Sequence, residues 1–220
     1  LGQFGLKYDA STADLVTAVS ESDRETWGYL KEGDTHDFAF LSVDIAGNSN
    51  IQLKYGKEEI EIVYNGFQQM LQRTVTRFNG KIWSWAGDGG ICAFYLGNRG
   101  QDAVECALAV QFNLHLFNLD RQRNRFREPI RVRIAAHEGS AIYKENKGTI
   151  FSDAINYVAH MEKGATDAVG ISISQVVYDS IDPRLRGIFQ PRGNFENINV
   201  HSVSLAFPWS SFDEDLIGPS

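Results

Sequence analysis

Two cysteines in 220 residues are too few for a disulfide framework. Cys92 lies in an apolar run and Cys106 in a helical pattern, which suits a reducing compartment. Positive charge is also scarce: 21 Lys and Arg against 28 Asp and Glu give a formal charge of −7. The most basic stretch, "DRQRNRFREPIRVR" (Asp120 to Arg133), is short and reads as a loop border, so a nucleic-acid partner held by phosphate contacts is not expected. No apolar run reaches the roughly 18 residues of a membrane span, and no signal-peptide pattern opens the chain. A soluble cytoplasmic protein with no membrane partner is the expectation. The first residue is not Met, so the sequence is expected to begin inside a longer chain.

What is present is apolar periodicity enough for one main core, with 43% hydrophobic residues. Residues 1–36 read as an arm, helical at most over Ala13 to Leu30; 37–207 form the domain; 208–220 are an acidic tail. "FAFLSV" (Phe38 to Val43) is a near-continuous apolar strand, as a strand covered on both faces would be. Ile60, Val63, Phe67, Met70, Leu71, Val75 and Phe78 recur at threes and fours, predicting an amphipathic helix over Lys57 to Phe78. "KIWSWAGDGGICAFYL" (Lys81 to Leu96) is two strands around a glycine turn tipped by Asp88. A second helix covers about 101–119. "PIRVRIAAHEGSAIY" reads as a strand, a turn at Gly139 and a partner strand. A short helix over Asp153 to Gly164, a strand over Gly170 to Ser174, a helical turn to Asp182 and a last pair near Gly187 to Gln190 and Asn199 to Ala206 come after it. The order β-α-β-β-α-β with appended strands predicts an α+β, ferredoxin-like βαββαβ sandwich, helices on one face of an antiparallel sheet.

Asp44 ends the first strand and Asp88 tips the hairpin expected beside it, so the two carboxylates can meet at one end of the sheet. Each alone reads first as a turn former. Together, and backed by the N–H groups of Gly47, Asn48 and Ser49 in "VDIAGNSN", they are what a metal–triphosphate complex needs.

In this order and spacing the motifs resemble the class III nucleotidyl cyclases, over about Phe38 to Leu205. "FLSVDIAGNSN" is similar to that family's first metal motif and "WAGDGGICAF" to its second. "IRVRIAAHEGSAIY" is similar to its Arg-x-Gly-x-His-x-Gly segment, "DAINYVAHMEKGA" to its Val-Asn-x-Ala-x-Arg-x-Glu helix, and "GISISQVVYDSI" to the segment beyond that helix. "PRG" stands where the family has Leu-Lys-Gly. The resemblance implies the class III cyclase fold, a head-to-tail homodimer with shared active sites, and a nucleoside triphosphate substrate. It implies two Mg²⁺ or Mn²⁺ ions per site on Asp44, Asp88 and the carbonyl of Ile45, with Gly47, Asn48 and Ser49 around the phosphates. Asn156 would orient the ribose and Arg192 would bind the terminal phosphates, both from the partner subunit.

Three positions depart from the pattern. His160, four residues after Asn156 and so on its helix face, stands where the family has Arg; Arg131 or Arg133 could replace that charge. The purine-reading Lys is Ser84 here and its Asp partner is Thr149. Losing both charged readers argues against the usual adenine pocket. Trp83, Trp85 and Phe151 crowd that region, with alternation placing both tryptophans on the face opposite Ser84. These departures resemble the pyrimidine cyclases of bacterial Pycsar anti-phage defence, which make cyclic UMP or cyclic CMP, UTP being the expected substrate. The alternatives are an adenylate cyclase with a relaxed base pocket, and an inactive cyclase fold kept for nucleotide binding or dimerisation.

Overall fold

The computed structural model describes residues 30–143 and 152–205 in full and, by backbone alone, the strands β1 (Leu6–Asp9) and β2 (Asp14–Thr17), which pair antiparallel. The second of these replaces part of the helix read over Ala13 to Leu30. A seven-stranded sheet comes next, in spatial order β4-β5-β3-β6-β7-β9-β8. Its strands are β3 (Thr35–Ile45), β4 (Gly80–Ala86), β5 (Gly89–Phe94), β6 (Val132–Ile142), β7 (Gly170–Ser174), β8 (Gln190–Phe195) and β9 (Ile198–Ser204). Only the β6–β7 pair among them is parallel. With helices α2 (Lys57–Arg77) and α3 (Arg99–Leu119), strands β3, β4, β5 and β6 make the βαββαβ core, the first strand seated between the third and the fourth. The expected ferredoxin-like α+β sandwich with appended strands is present.

Helices lie on both faces, not one. Ala39, Leu41, Val43 and Ile45 of β3 face α2 and α3, packing with Phe67, Leu71, Val104, Ala107 and Val110. Phe38 and Phe40 alternate to the other side and pack with Trp83 and with Val158 and Met161 of α4 (Asp153–Ala165). This explains why "FAFLSV" lacks polar alternation: both sides of the strand are covered, and each buried Phe contributes on the order of 2 kcal/mol.

The turn expected at Gly139 is absent. β6 runs unbroken for 11 residues and Gly139 pairs with Phe38. Glycine is needed there for closeness: a Cβ on Gly139 would stand 2.5 Å from the Cβ of Ala154, at the first turn of α4. The short helices α1 (Asn48–Lys54), α5 (Gln175–Ser180) and α6 (Pro183–Arg186) complete the fold. The last strand pair falls later in β8 than the sequence suggested, so Arg192 lies within a strand.

Candidate active site

β3 and β5 are paired so that Asp44 stands opposite Gly89, and the N–H of Ile45 donates to the carbonyl of Asp88 at 3.1 Å. The two carboxylate-bearing residues therefore meet at one sheet end. The sequence enforces this through Gly89, whose Cβ would lie 2.6 Å from the carbonyl of Val43 and 2.9 Å from Asp44 Oδ1. Any side chain there would push the hairpin off Asp44.

Asp44 is also a cross-strand neighbour of Arg133 in β6, and Arg133 Nη2 donates to Asp44 Oδ2 at 2.5 Å. Arg133 Nε lies 2.6 Å from Oε1 of Glu162 on α4. Glu162 is only 1% exposed. Burial, then repulsion from Asp44, pushes its carboxyl up to about 7 against the pull of Arg133. Burial likewise raises Asp44; the Arg133 hydrogen bond opposes this and repulsion from Asp88 adds to it. The Tyr64 hydroxyl is pushed to about 12 by burial with Asp88 and Asp44 nearby, and it donates to Asn48 Oδ1 at 2.7 Å.

Asp88 thus lies within electrostatic reach of the Asp44 carboxylate, a juxtaposition of like charges that a cation would relieve. Among the described residues no group of three or more His, Cys, Asp or Glu side chains forms a metal cluster. The hard-oxygen donor set is thus two carboxylates and backbone carbonyls, a set that fits Mg²⁺ or Mn²⁺ when substrate phosphates complete the shell.

Gly47, Asn48 and Ser49 lie at the start of α1, not in an open loop. The N–H groups of Asn50 and Ile51 bond back to the carbonyl of Gly47; those of Gly47, Asn48 and Ser49 bond to no backbone carbonyl among the described residues.

The other expected site residues are not brought to Asp44 within one chain. Asn156 and His160 share the outward face of α4, both exposed, while Val158, Met161 and Glu162 point to the sheet. His160 Nδ1 lies 3.1 Å from Glu196 Oε1 in the turn between β8 and β9. Arg192 makes a two-pronged pair with Asp167 at 2.8 and 2.9 Å. Of the two candidate replacement arginines, Arg133 reaches Asp44 while Arg131 stays exposed.

Around Ser84 the alternation expected of β4 fails. A register shift between Ile82 and Ser84 leaves Trp83 as an extra residue, so Trp83 joins the α4 face while Trp85 packs on the α2 side. Ser84 pairs with Ile91 on that same α4 face, so only Trp85 lies opposite it. Thr149 and Phe151 lie outside the described residues.

Tyr64 escaped the sequence reading, and Glu162, which falls on the Glu of the Val-Asn-x-Ala-x-Arg-x-Glu pattern, was given no role in it. The signal for Glu162 was there: an acid four residues after Val158 falls on the apolar stripe of α4, where a carboxylate needs a cation.

No family model and no curated protein matches the sequence. Solved structures do match. The catalytic core of a rhodopsin-guanylyl cyclase with converted specificity, in complex with ATPalphaS, superposes with a TM-score of 0.68 at 17% identity, over 80% of this chain and 99% of that one. The chain has the class III nucleotidyl cyclase fold. The adenylyl cyclase CyaB from P. aeruginosa gives a TM-score of 0.66 at 15% identity, over 80% of this chain and 97% of its own. An adenylate/guanylate cyclase/hydrolase from Silicibacter pomeroyi gives 0.64 at 23%, over 79% and 99%. Among the described residues of this cyclase-fold chain, no helix is long and apolar enough to cross a membrane.

Proposed function

We propose that the chain is a nucleotidyl cyclase, converting a nucleoside triphosphate, UTP first, into its 3′,5′-cyclic nucleotide and pyrophosphate. The observation that carries this is the juxtaposition of Asp44 and Asp88 on paired strand ends in a cyclase fold. Asp44, Asp88 and the Ile45 carbonyl would hold two Mg²⁺ or Mn²⁺ ions. Bound there, such ions lower the pKa of the ribose 3′-hydroxyl and neutralise charge on the departing pyrophosphate. The 3′ oxygen attacks the α-phosphorus in line, the bond to the β-phosphate oxygen breaks, and that electron pair leaves with pyrophosphate while the hydroxyl proton goes to solvent.

The chain's own groups do the positioning. The backbone at Gly47, Asn48 and Ser49 and the guanidinium of Arg133 offer donors to the phosphates on the Asp44 side. Asn156 and Arg192 of the partner subunit complete the site in a homodimer. The outward placement of Asn156 and His160 supports this, since neither can serve the carboxylates of its own sheet from the far side of α4. His160, paired with Glu196, supplies a weaker phosphate donor than Arg would.

UTP is proposed because Ser84 and Thr149 replace the charged purine readers, and a hydroxyl satisfies uracil's two carbonyls and one N–H without burying an unpaired charge. The likeness to stand-alone defence cyclases makes the product a second messenger of anti-phage defence. Incubation with ATP, GTP, CTP and UTP under identical Mn²⁺ tests this. The highest kcat/KM is expected for UTP, then CTP. A purine preference would overturn the substrate assignment, and absence of any cyclic product would overturn the enzyme assignment in favour of an inactive nucleotide-binding module.

A further inference from the structure

Of the two acids in α4, Asp153 is exposed and Glu162 is enclosed. A carboxylate on the sheet-facing side of a helix is costly unless a cation meets it. Here that cation is Arg133, which Glu162 does not hold alone. The guanidinium is a rigid planar fork with five N–H donors. Its Nη2 is committed to Asp44 at 2.5 Å and its Nε lies 2.6 Å from Glu162, off the N–H axis, so that the second contact is an ion pair and not an aligned hydrogen bond. Two carboxylates, one from the neighbouring strand and one from the helix above, thereby fix the plane of one cation. That guanidinium makes no other hydrogen bond or ion pair among the described residues, and a quarter of the side chain's surface reaches solvent.

The division of Arg133 between two acids has a chemical consequence. An arginine beside a lone carboxylate closes on it with two parallel hydrogen bonds, engaging both oxygens. Held back by Glu162, Arg133 meets Asp44 through Oδ2 alone. Oδ1 faces the hairpin at Gly89, on the Asp88 side.

We infer that Glu162 is a positioning residue of the nucleotide site: it draws Arg133 off Asp44, leaving one Asp44 oxygen for a cation and turning the remaining guanidinium N–H groups toward the triphosphate. The inference rests on the cyclase reading for its ligand, but the anchoring of Arg133 is a property of this chain by itself.

The test separates positioning from mere stability. The probe is the 3′-deoxy form of each of the four nucleoside triphosphates with Mn²⁺, which binds but has no hydroxyl to cyclise. Glu162→Gln, which keeps the shape and removes the charge, is expected to weaken the best-bound probe about 10-fold and to raise KM more than it lowers kcat. Glu162→Asp, which keeps the charge one methylene short, falls between. In an Arg133→Ala background, Glu162→Gln is expected to add less than about twofold, because the residue it acts through is gone. Equal losses in both backgrounds, or a lowered Tm with unchanged affinity, would overturn the inference. A second readout needs no nucleotide: the Arg133 Nε–H resonance, assigned by its disappearance in Arg133→Ala, exchanges slowly with water in the wild type and rapidly in Glu162→Gln. An unchanged exchange rate overturns the anchoring. A wild type that binds the probes but makes no cyclic product overturns the cyclase reading and leaves the positioning role standing, whereas one that binds none of the four overturns both.

Discussion

At the scale of single residues the proposed function rests on two carboxylates, and a buried histidine decides part of the acid stability. Asp44→Ala or Asp88→Ala removes a shared oxygen ligand and is expected to lower turnover at least 100-fold by order of magnitude, with the fold retained by circular dichroism. Wild-type rates from either variant would end the metal reading. His137 is buried on the α4 side of the sheet, its Nδ1 2.9 Å from the Ser174 hydroxyl, and burial lowers its pKa to about 4. An imidazole that is harder to protonate when folded takes up protons on unfolding between about pH 6.5 and pH 4. Stability from this residue is therefore complete above about 6.5 and lost as pH falls toward 4, by up to about 3 kcal/mol at 1.36 kcal/mol per pKa unit. Tm measured across that window should fall with acid, and His137→Gln should flatten the slope; an unaltered slope would mean that other groups govern it. Among the candidate site residues, the meeting of Asp44 and Asp88 was legible in the sequence because strand ends and glycine turns are local signals. Arg133 and Glu162 were less so, because their meaning lies in a cross-strand register and a helix face that only tertiary packing brings together.

At the scale of elements, β3, α2, the β4–β5 hairpin and α3 were readable because each carries its own period. The errors came where packing overrides it. The start of the helix read over Ala13 to Leu30 gave way to β2 (Asp14–Thr17), residues 18–29 lying outside the described ones; the Gly139 turn was misread because glycine marks close approach as well as chain reversal; the bulge at Trp83 broke the alternation that would have kept it opposite Ser84. The face occupied by α4 was hidden as well, although the unbroken apolar run of β3 hinted that both sides are covered. Gly139 offers a direct check. Gly139→Ala sets a methyl 2.5 Å from the Cβ of Ala154 and must lift the first turn of α4, two residues before Asn156. A destabilisation of about 1–3 kcal/mol is expected, together with lost activity. Ala154→Gly in the same chain vacates the space and should return most of the activity; a double variant no better than the single would show that the glycine serves another purpose.

At the scale of the whole molecule, the proposed cyclase reading divides the candidate residues of one chain into two half-sites. Asp44, Asp88, Arg133 and Glu162 gather at one end of the central strands, whereas Asn156 and His160 look outward from α4 and Arg192 is held by Asp167 on the edge strand β8. No rotamer change can bring an outward-facing helix position across its own helix to the sheet beneath. In the proposed two-fold head-to-tail pairing, the surface that carries Asn156 on one subunit would cover the carboxylates of the other, and would do so twice. The consequence is complementation. Chains carrying Asp88→Ala and chains carrying Asn156→Ala are each inactive as homodimers, since every site lacks one component. Mixed and allowed to exchange, they form heterodimers in which one site combines both lesions and the other is intact. At equal concentrations half of the dimers are mixed and each has one working site, so about a quarter of the wild-type activity per subunit is expected. Mixing Asp44→Ala with Asp88→Ala chains should give none, because both lesions fall on the same half-site and every interface site keeps one of them. Recovery in that control, or none in the first pair despite subunit exchange shown by mass spectrometry, would mean that the carboxylates and Asn156 are not partners across an interface.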